Sequence, residues 1–420
     1  MAEQRTYHDP LHGAIRLCRR EPAEALAIAL IDSAPFQRLR RIRQLGPAFL
    51  TFHGAESSRF THSLGVLHLA RQALNLLERR DPALARWRPL LYAAALLHDV
   101  GHAPLSHSGE DMFGLRHEHW SGRLVRDHPG LREPLDRLES GLAASVADLL
   151  EHGRHPSSAM AALVSSQLDC DRLDYLLRDS YSTGTSYGQL DLERLLASLT
   201  LAPDGSLAIH PKGLMAVEHY LVVRQLMYRS VYNHRLNVVC NWLLQRTIAV
   251  ARRLGPDQVW ADRVMACWLW DPQRLSLESY LANDDLRTGY HLQRWREDGP
   301  AELADPCARL LDRRLLRASD VSDFPRANQL ELLAETESLC RRLGLPAEGC
   351  CGLQQRRSHG YDPYRSGLRL WDGQRLEALE QRSALVQTLA RPQEVAWLIH
   401  PREVSGPLRQ RLSTLRQDRL

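Results

Sequence analysis

The chain has 420 residues and a mass of 47.8 kDa, a length that allows two or three domains. Its composition is 44% hydrophobic and 25% charged, which is typical of globular proteins and excludes wholesale disorder. A net charge of +4, from 54 basic and 50 acidic residues, leaves nucleic acid open as a partner without indicating it.

The apolar stretches of the chain are short. Leu90–Leu97 is one of the longest, far below the ~18 residues that a membrane span needs. The N-terminal sequence MAEQRTYHDP lacks the charged-then-apolar pattern of a signal peptide. We therefore expect a cytoplasmic protein with no membrane partner.

Helical periodicity dominates from Ala23 to Val250, as in the apolar run at Leu64, Leu67, Leu69 and Leu76. The exception is residues 199–213, where two short apolar runs flank Pro203-Asp204-Gly205, a turn that closes β-hairpins. After residue 255 the pattern changes to shorter helices with Gly/Pro breaks. The sequence predicts a mainly α fold, with a helical catalytic core over 1–255 that carries a small β-hairpin insertion, and a smaller α+β lobe over 256–420.

The eight cysteines contain no C-x-x-C pair, and only Cys350 and Cys351 are close together in sequence. This spacing favours reduced thiols over a disulfide framework or a zinc-thiolate site.

A histidine and aspartate pattern suits a metal site. His98-Asp99 ends the apolar helical run YAAALLHDVGH, where a buried carboxylate is costly unless it meets a cation. His62 begins another predicted helix, and Asp171 begins a third. Two imidazoles and two carboxylates form a mixed nitrogen and oxygen set that suits Mn, Fe, Co, Ni or Zn.

More histidines follow this pair, at His102, His107 and His117-Glu118-His119. Metal-assisted hydrolysis still needs a proton donor for the leaving group, and an imidazole oriented by a carboxylate fits that role. His117 with Glu118 is one such pair, and His107 is the alternative.

The helix predicted over 171–179 presents charged and phenolic groups on one broad face. Asp171, Tyr175 and Arg178 follow at i, i+4 and i+7, while Arg172 and Asp179 lie beside them. This face suits contacts to phosphate and sugar, although a solvated helix with Asp/Arg pairs gives a similar pattern.

The residues match a known family. His62, His98-Asp99 and Asp171 follow the H…HD…D pattern of the HD phosphohydrolase superfamily. Longer segments resemble its deoxynucleoside triphosphate (dNTP) triphosphohydrolase branch, both bacterial members and the catalytic core of the mammalian SAM-and-HD-domain enzyme. They lie in the first 250 residues: DPLHGAIRL (9–17), residues 35–66, LLHDVGHAPLSHS (96–108), HEHWS (117–121), residues 169–196 and VYNHR (231–235).

The resemblance implies an HD-domain helical core that holds a divalent metal (Mn, Mg, Fe, Co, Ni or Zn). The implied metal ligands are His62, His98, Asp99 and Asp171. The residues that it places on the catalytic side are His102, His107, His117 and Glu118.

The resemblance also implies how a dNTP substrate binds. Three arginines meet the triphosphate: Arg59, Arg172 and Arg224. Gln44 and Asp179 read the sugar 3′-hydroxyl, and Tyr175 and Tyr232 crowd the ribose 2′ position, which excludes ribonucleotides. Two positions depart from the mammalian pattern, with Glu110 in place of an aspartate and Asn233 in place of a glutamine.

A regulatory site is implied by the same comparison. Asp32, Gln37 and Arg40 match a guanine-reading triad in their spacing, and Arg194 matches a further contact; ordinary polarity on a helix surface is the alternative. The implied partners are a guanine-nucleotide activator and further copies of the chain, in a homotetramer or dimer.

These residues predict hydrolysis of a dNTP to deoxynucleoside and inorganic tripolyphosphate. Two alternatives stay open at this stage. One is another HD-type phosphohydrolase that acts on phosphomonoesters, cyclic nucleotides or alarmones. The other is a nucleotide-sensing regulatory module that binds single-stranded nucleic acid.

Overall fold

The computed structural model describes residues 3–358, 360–363 and 367–417. It is mostly helical. The helices are α1 (Pro22–Ile31), α2 (Ala34–Arg38), α3 (Arg59–Glu78), α4 (Arg88–Leu97), α5 (His107–Phe113), α6 (His117–Asp127), α7 (Pro129–Leu138), α8 (Leu142–His152), α9 (Ser158–Val164), α10 (Cys170–Thr183), α11 (Leu192–Ser198), α12 (Leu214–Met227), α13 (Arg235–Leu254), α14 (Arg263–Trp270), α15 (Leu277–Leu281), α16 (Asp285–Asp298), α17 (Ala301–Leu311), α18 (Arg326–Arg342), α19 (Ala347–Cys350), α20 (Leu379–Arg382), α21 (Ala384–Leu389) and α22 (Ser405–Gln417).

The strands form three small sheets. They are β1 (Gln4–Asp9), β2 (Gly13–Cys18), β3 (Leu199–Leu201), β4 (Leu207–Ile209), β5 (Arg317–Asp320), β6 (Gly352–Ser358), β7 (Arg369–Trp371), β8 (Leu376–Ala378) and β9 (Gln393–His400). The sheet orders are β1-β2, β3-β4-β7-β8 and β5-β9-β6. The prediction of a mainly α fold with small β elements is confirmed.

The predicted hairpin is present, with β3 antiparallel to β4 and Leu199 opposite Ile209. The N-terminal hairpin β1–β2 was missed, because the helical interpretation of the first 250 residues allowed only one β element. The available signal was the position of Ile15 and Leu17 on either side of the exposed Arg16, which is the two-residue period of a strand.

The chain divides into two compact units. The first contains Met1–Met227, Leu275–Leu286 and His359–Arg391, and the second contains Tyr228–Arg274, Arg287–Ser358 and Pro392–Leu420. Both units are discontinuous in sequence. The functional division of the chain at residue 255 into a catalytic core and a regulatory lobe stays a prediction.

The first unit is a helical body in which α3 lies against both α4 and α10. The apolar side of α4, with Leu91, Ala94 and Leu97, is fully buried in this body, and burial of such side chains contributes roughly 1.5–3 kcal/mol each for the larger ones. This packing fixes the ends of the three helices that carry the predicted metal ligands.

The second unit contains the three-stranded sheet β5-β9-β6, in which Leu353 pairs with Leu398. One of its apolar clusters joins strand β9 to helices α18 and α22 through Leu332, Leu398 and Leu408. None of the helices in the described part of the chain combines the length and the apolar character needed to span a bilayer.

Candidate active site

The predicted metal ligands come from three helix ends in the first unit. His62 lies in the first turn of α3, His98 and Asp99 directly follow the last residue of α4, and Asp171 lies in the first turn of α10. His62 is fully buried and Asp99 is 2% exposed. The structure therefore brings all four predicted ligands together, and we call them the metal pocket.

Donor atoms in the metal pocket face a common point. His62 Nε2 lies 3.0 Å from Asp171 Oδ1 and 3.4 Å from Asp99 Oδ2. His98 Nε2 lies 3.2 Å from His62 Nε2 and 3.4 Å from Asp99 Oδ2. These separations are those of ligands that share one ion at about 2.0–2.2 Å from each donor.

The electrostatics of the metal pocket favour a cation. Burial acts to lower the pKa of His62, but hydrogen bonds to Asp171 and Asp174 outweigh it and raise the pKa above its usual value. Burial also acts to lower the pKa of His98, but Asp99 and Asp171 raise it well above its usual value. Positive charge is thus stabilised where the donors converge, so the donor set fits a divalent metal ion.

A carboxylate that the sequence analysis did not assign orients His62. Asp174 Oδ2 lies 2.7 Å from His62 Nδ1, and its other oxygen lies 2.6 Å from His12 Nε2. Because Asp174 occupies Nδ1, the Nε2 lone pair of His62 is free to face the metal pocket. Gly65 permits this approach, since a Cβ there would lie 1.9 Å from Asp174 Oδ1.

Arg178 was interpreted as part of a substrate-reading face, and that interpretation is wrong. It is 2% exposed. Its guanidinium donates to Asp174 at 2.7 and 2.9 Å and to Asp9 at 2.9 Å. Arg178 therefore neutralises the buried carboxylate behind His62. A second carboxylate one helical turn after Asp171 was the signal that could have revealed this arrangement.

Three imidazoles converge on Glu110, and we call His102, His107, His117 and Glu110 the histidine cluster. Glu110 Oε1 lies 2.7 Å from His117 Nδ1, 3.0 Å from His107 Nδ1 and 3.4 Å from His102 Nδ1. Burial acts to raise the pKa of Glu110, but hydrogen bonds from His107 and His117 hold it far below its usual value. Glu110 is thus an ionised acceptor that orients the rings around it.

Glu118 is not the nearest carboxylate to His117. Its Oε2 lies 3.6 Å from His117 Nδ1, and its other oxygen lies 3.3 Å from the exposed Arg116. Adjacency in sequence predicts the pair of His117 with Glu118. In a helix, however, adjacent side chains point in different directions, and Glu110 from α5 takes that position.

His102 connects the metal pocket to the histidine cluster. Its Nε2 lies 3.2 Å from Asp99 Oδ1, and its ring stacks on His117 with 4.0 Å between centroids. Burial, together with the positive charges of Arg59 and His117, lowers the pKa of His102 well below its usual value. His102 therefore links the two groups, and its catalytic role stays a prediction.

The loop between Asp99 and α5 is strained. Leu105 and Ser106 both have left-handed backbones, with φ of 61° and 59°, which is uncommon for residues other than glycine. Asp285 Oδ1 accepts from the Leu105 N–H at 2.7 Å, and Ser106 Oγ accepts from Arg59 Nε at 2.8 Å. These contacts hold the backbone that presents His107.

The three arginines predicted to bind triphosphate have protein partners. Arg59 is 4% exposed and forms an ion pair with Asp99. Arg172 forms an ion pair with Asp169, and Arg224 Nη1 donates to Gln167 Oε1 at 2.9 Å. Their role with substrate stays a prediction.

The four residues predicted to read the sugar are spread over both units. Gln44 is 7% exposed, and its Oε1 is a buried acceptor that has no hydrogen-bond partner among the described residues. Asp179 is 1% exposed, and Tyr175 lies one helical turn before it on α10. Tyr232 lies in the second unit, on the π-helical turn Tyr228–Tyr232. The unpartnered Gln44 oxygen is therefore a candidate acceptor for a hydrogen bond from a ligand.

The predicted guanine-reading residues are satisfied locally. Asp32 forms an ion pair with Arg5, and Arg40 Nε donates to Gln37 Oε1 at 2.8 Å. Arg194 donates to the Lys212 carbonyl at 3.0 Å. Gln37 and Arg40 are brought together, whereas no contact with Asp32 or Arg194 joins them within the described residues.

Two models of known protein families match this chain. The HD domain matches residues 59–179, and the HD associated region matches residues 190–265. The first match begins at Arg59, immediately before His62, and ends at Asp179. It therefore contains the whole metal pocket and the whole histidine cluster.

Individual relatives extend this comparison. The uncharacterized protein YwfO of Bacillus subtilis is 32% identical over 404 residues, which cover 93% of this chain and 90% of that protein. The deoxynucleoside triphosphate triphosphohydrolase SAMHD1 of Danio rerio is 32% identical over 228 residues, covering 46% of this chain and 36% of that protein. A crystal structure of a phosphohydrolase from Bacteroides thetaiotaomicron superposes with a TM-score of 0.81 at 25% identity, covering 95% of this chain and all of that one.

Proposed function

The chain belongs to the HD-domain phosphohydrolase family, and on that premise we propose that it hydrolyses deoxynucleoside triphosphates to deoxynucleoside and inorganic tripolyphosphate. Membership rests on the match to YwfO over nine tenths of both chains and on the HD domain match. A metal-dependent hydrolase is therefore the general class. The dNTP substrate is the finer statement, and the similarity to the SAMHD1 proteins supports it.

The proposal rests on one observation, that His102 contacts both the metal pocket and the rest of the histidine cluster. On one side lies a donor set for a divalent ion, and on the other lies a histidine cluster that can move a proton. When bound, the ion supplies Lewis-acid activation of water. The protein residues supply the remaining requirements of phosphoryl transfer, which are positioning, charge neutralisation and protonation of the leaving oxygen.

The reaction adds one water molecule across the bond between the α-phosphorus and the 5′-oxygen. The water oxygen bonds to the α-phosphorus, the bond from that phosphorus to the 5′-oxygen breaks, and the 5′-oxygen takes up a proton. His117 is the donor that fits best, because its side chain is 17% exposed and is oriented by Glu110, whereas His107 is 70% exposed. Glu110 stabilises the protonated ring before the transfer.

Recognition of the substrate rests on buried polar groups. Arg59, Arg172 and Arg224 supply guanidinium groups suited to polyphosphate oxygens. The unpartnered oxygen of Gln44 can accept a hydrogen bond from a hydroxyl of the sugar. Tyr175 crowds the 2′ position in this proposal, and the same role for Tyr232 of the second unit stays a separate prediction, so the enzyme cleaves dNTPs and rejects NTPs.

The decisive experiment incubates the protein with each dNTP and NTP, with Mn or Mg, in water enriched in oxygen-18. Chromatography should show deoxynucleoside and tripolyphosphate, with the label in the tripolyphosphate because water attacks phosphorus. Parallel incubations with a dNMP, a cyclic nucleotide and an alarmone test the alternative phosphohydrolases, and hydrolysis of any of these in place of dNTPs would indicate them. Equal rates on ATP and dATP, or no loss of discrimination in Tyr232→Ala, would contradict the account of the sugar.

We also propose that a guanine nucleotide activates the enzyme and that the active form is a cytoplasmic homo-oligomer. Asp32, Gln37, Arg40 and Arg194 carry polar or charged side chains that suit a base edge and phosphates. Binding between subunits would stabilise the assembly by mass action. Hydrolysis and sedimentation with and without GTP test this, and an Asp32→Ala protein that is still activated normally would refute it.

A further inference from the structure

Three cysteines of the second unit converge, the adjacent pair Cys350-Cys351 and Cys340, which lies ten residues earlier. The Sγ atoms of Cys340, Cys350 and Cys351 all lie within 4.8 Å of one another. Cys340 Sγ and Cys351 Sγ are 3.3 Å apart, which is closer than van der Waals contact between two sulfur atoms. The side chains are 0%, 1% and 6% exposed, respectively.

The backbone holds these thiols in place. Cys340 lies in the last turn of α18, and the Leu345 N–H donates to its carbonyl at 2.9 Å, which turns the chain back. Cys351 follows α19, and its N–H donates to the Ala347 carbonyl at 2.9 Å. Gly352 then starts β6 against the Trp242 ring, where a Cβ would lie 2.5 Å from the indole nitrogen. These contacts position Cys340 and Cys351 relative to their own segments.

Ordinary packing explains this arrangement poorly. A buried cysteine behaves as a small apolar residue, and its sulfur usually packs against carbon. Here the three sulfurs face one another, and Cys350 Sγ also approaches the Pro346 carbonyl at 3.0 Å. For three thiolates around one ion with bonds of about 2.3 Å, the expected sulfur separations are roughly 3.8–4.0 Å. The Cys340–Cys351 separation of 3.3 Å is shorter than this range, and all three sulfurs lie within 4.8 Å of one another, so small shifts of the side chains would place them around one ion.

We propose that Cys340, Cys350 and Cys351 form a thiolate site for a soft metal ion, zinc(II) or copper(I). Thiolate ligands select these ions over magnesium, calcium and manganese, which prefer oxygen. Among the described residues the group includes no histidine or carboxylate donor. Copper(I) is satisfied by three thiolates alone, whereas zinc(II) takes a fourth ligand from water. Binding displaces the thiol protons and ties the end of α18 to the start of β6.

The site is testable in the full-length chain, because its ligands differ from those of the metal pocket. Protein produced with zinc or copper under reducing conditions is desalted, analysed for metal and then titrated with an organic mercurial. The mercurial attacks thiolates only, so metal held by His62, His98, Asp99 and Asp171 stays bound. We expect one equivalent of mercurial-released metal per chain in the wild type, and its elemental identity distinguishes zinc from copper.

Two variants control this experiment. Cys340→Ser should lower the mercurial-released metal by at least about tenfold. Cys307→Ser removes another fully buried thiol, in α17, and should leave the released metal unchanged. Equal release from wild type and Cys340→Ser, or no release from the wild type, overturns the proposal.

A second measurement uses the wild type, so it does not depend on whether the Cys340→Ser variant folds. Cobalt(II) bound to thiolates gives an intense sulfur-to-metal charge-transfer band, which nitrogen and oxygen ligands do not give. The wild type loaded with cobalt should show this band. Cobalt(II) substitutes for zinc(II), so copper(I) is tested through the corresponding ultraviolet sulfur-to-copper band of the copper-loaded protein. The absence of both bands overturns the proposal, as does the loss of two free thiols on mild oxidation with no metal bound, which would identify the group as a disulfide switch.

Discussion

The imidazoles of the metal pocket and those of the histidine cluster differ in burial and in their carboxylate partners, although His102 of the cluster also contacts Asp99 of the metal pocket. In the metal pocket, His62 is fully buried and both of its ring nitrogens face carboxylates. In the histidine cluster, three rings share the single carboxylate of Glu110, and the His107 side chain is 70% exposed. A buried ring held between two carboxylates suits a bound ion, whereas the more exposed rings of His107 and His117 are accessible to a leaving group. The same residue type thus serves two tasks, which neighbouring carboxylates and burial separate.

The largest effect should come from removing a ligand in the metal pocket. His98→Ala should lose both the bound divalent ion and turnover, because one of four donors is gone. Elemental analysis and a tripolyphosphate assay measure the two losses. His119→Ala is the matched control, since this exposed histidine pairs with Glu151 outside both groups. Stoichiometric metal with a near wild-type rate in His98→Ala would show that the catalytic ion lies elsewhere.

A smaller effect should follow from the corresponding change in the histidine cluster. His117→Ala should keep its metal and lose turnover by roughly 10²–10⁴-fold, as expected for a lost general acid. Metal retention with loss of rate would sharpen the division between the two groups. If activity is unaffected, the donor role moves to His107.

Asp174→Asn tests whether the buried carboxylate behind His62 acts through that ring. Changes to such partners typically reduce metal affinity by about 10–100-fold. We expect a shift of that size in a metal titration of activity, with the maximal rate restored at saturating metal. A lowered maximal rate at saturating metal would mean that Asp174 does more than orient His62.

The smallest effect distinguishes two carboxylates near His117. Glu110→Gln should slow turnover about tenfold or more, because a charged hydrogen bond to the donor ring contributes about 1.5–3 kcal/mol. Glu118→Gln should stay within about threefold of wild type, since that carboxylate lies farther away and is screened by solvent. The reverse ranking would restore the adjacent pair inferred from the sequence.

The sequence predicted groups that sit inside short motifs better than groups that meet across helices. His98 and Asp99 end an apolar helical run, His62 and Asp171 begin predicted helices, and the structure brings the four together. Glu110 was noted only as a departure from a family pattern, because its approach to His117 depends on how α5 packs against α6. Periodicity gives the face of a helix, but not the neighbour that covers that face.

Charge patterns were the least informative part of the sequence. Arg178 follows Asp171 at i+7 on α10. This spacing is the same whether Arg178 contacts phosphate or neutralises a buried carboxylate. Only burial distinguishes the two, and burial depends on Asp9 from the β1–β2 hairpin that helical periodicity missed. Similarly, Cys340 is ten residues from Cys350, and the turn at Gly344, with φ of 69°, brings the two together.

The left-handed pair Leu105–Ser106 sets a limit on how this protein can be stabilised. A glycine would relax a backbone that costs of order 1–3 kcal/mol at each position, but Leu105 is only 8% exposed and Ser106 bonds to Arg59, so the glycine would also lose buried contacts and raise thermal tolerance only where the released strain exceeds that loss. The same relaxation would free the segment that presents His107 and would weaken the anchor that Ser106 provides for Arg59. Thermal tolerance gained at this turn is therefore expected to come with a slower enzyme.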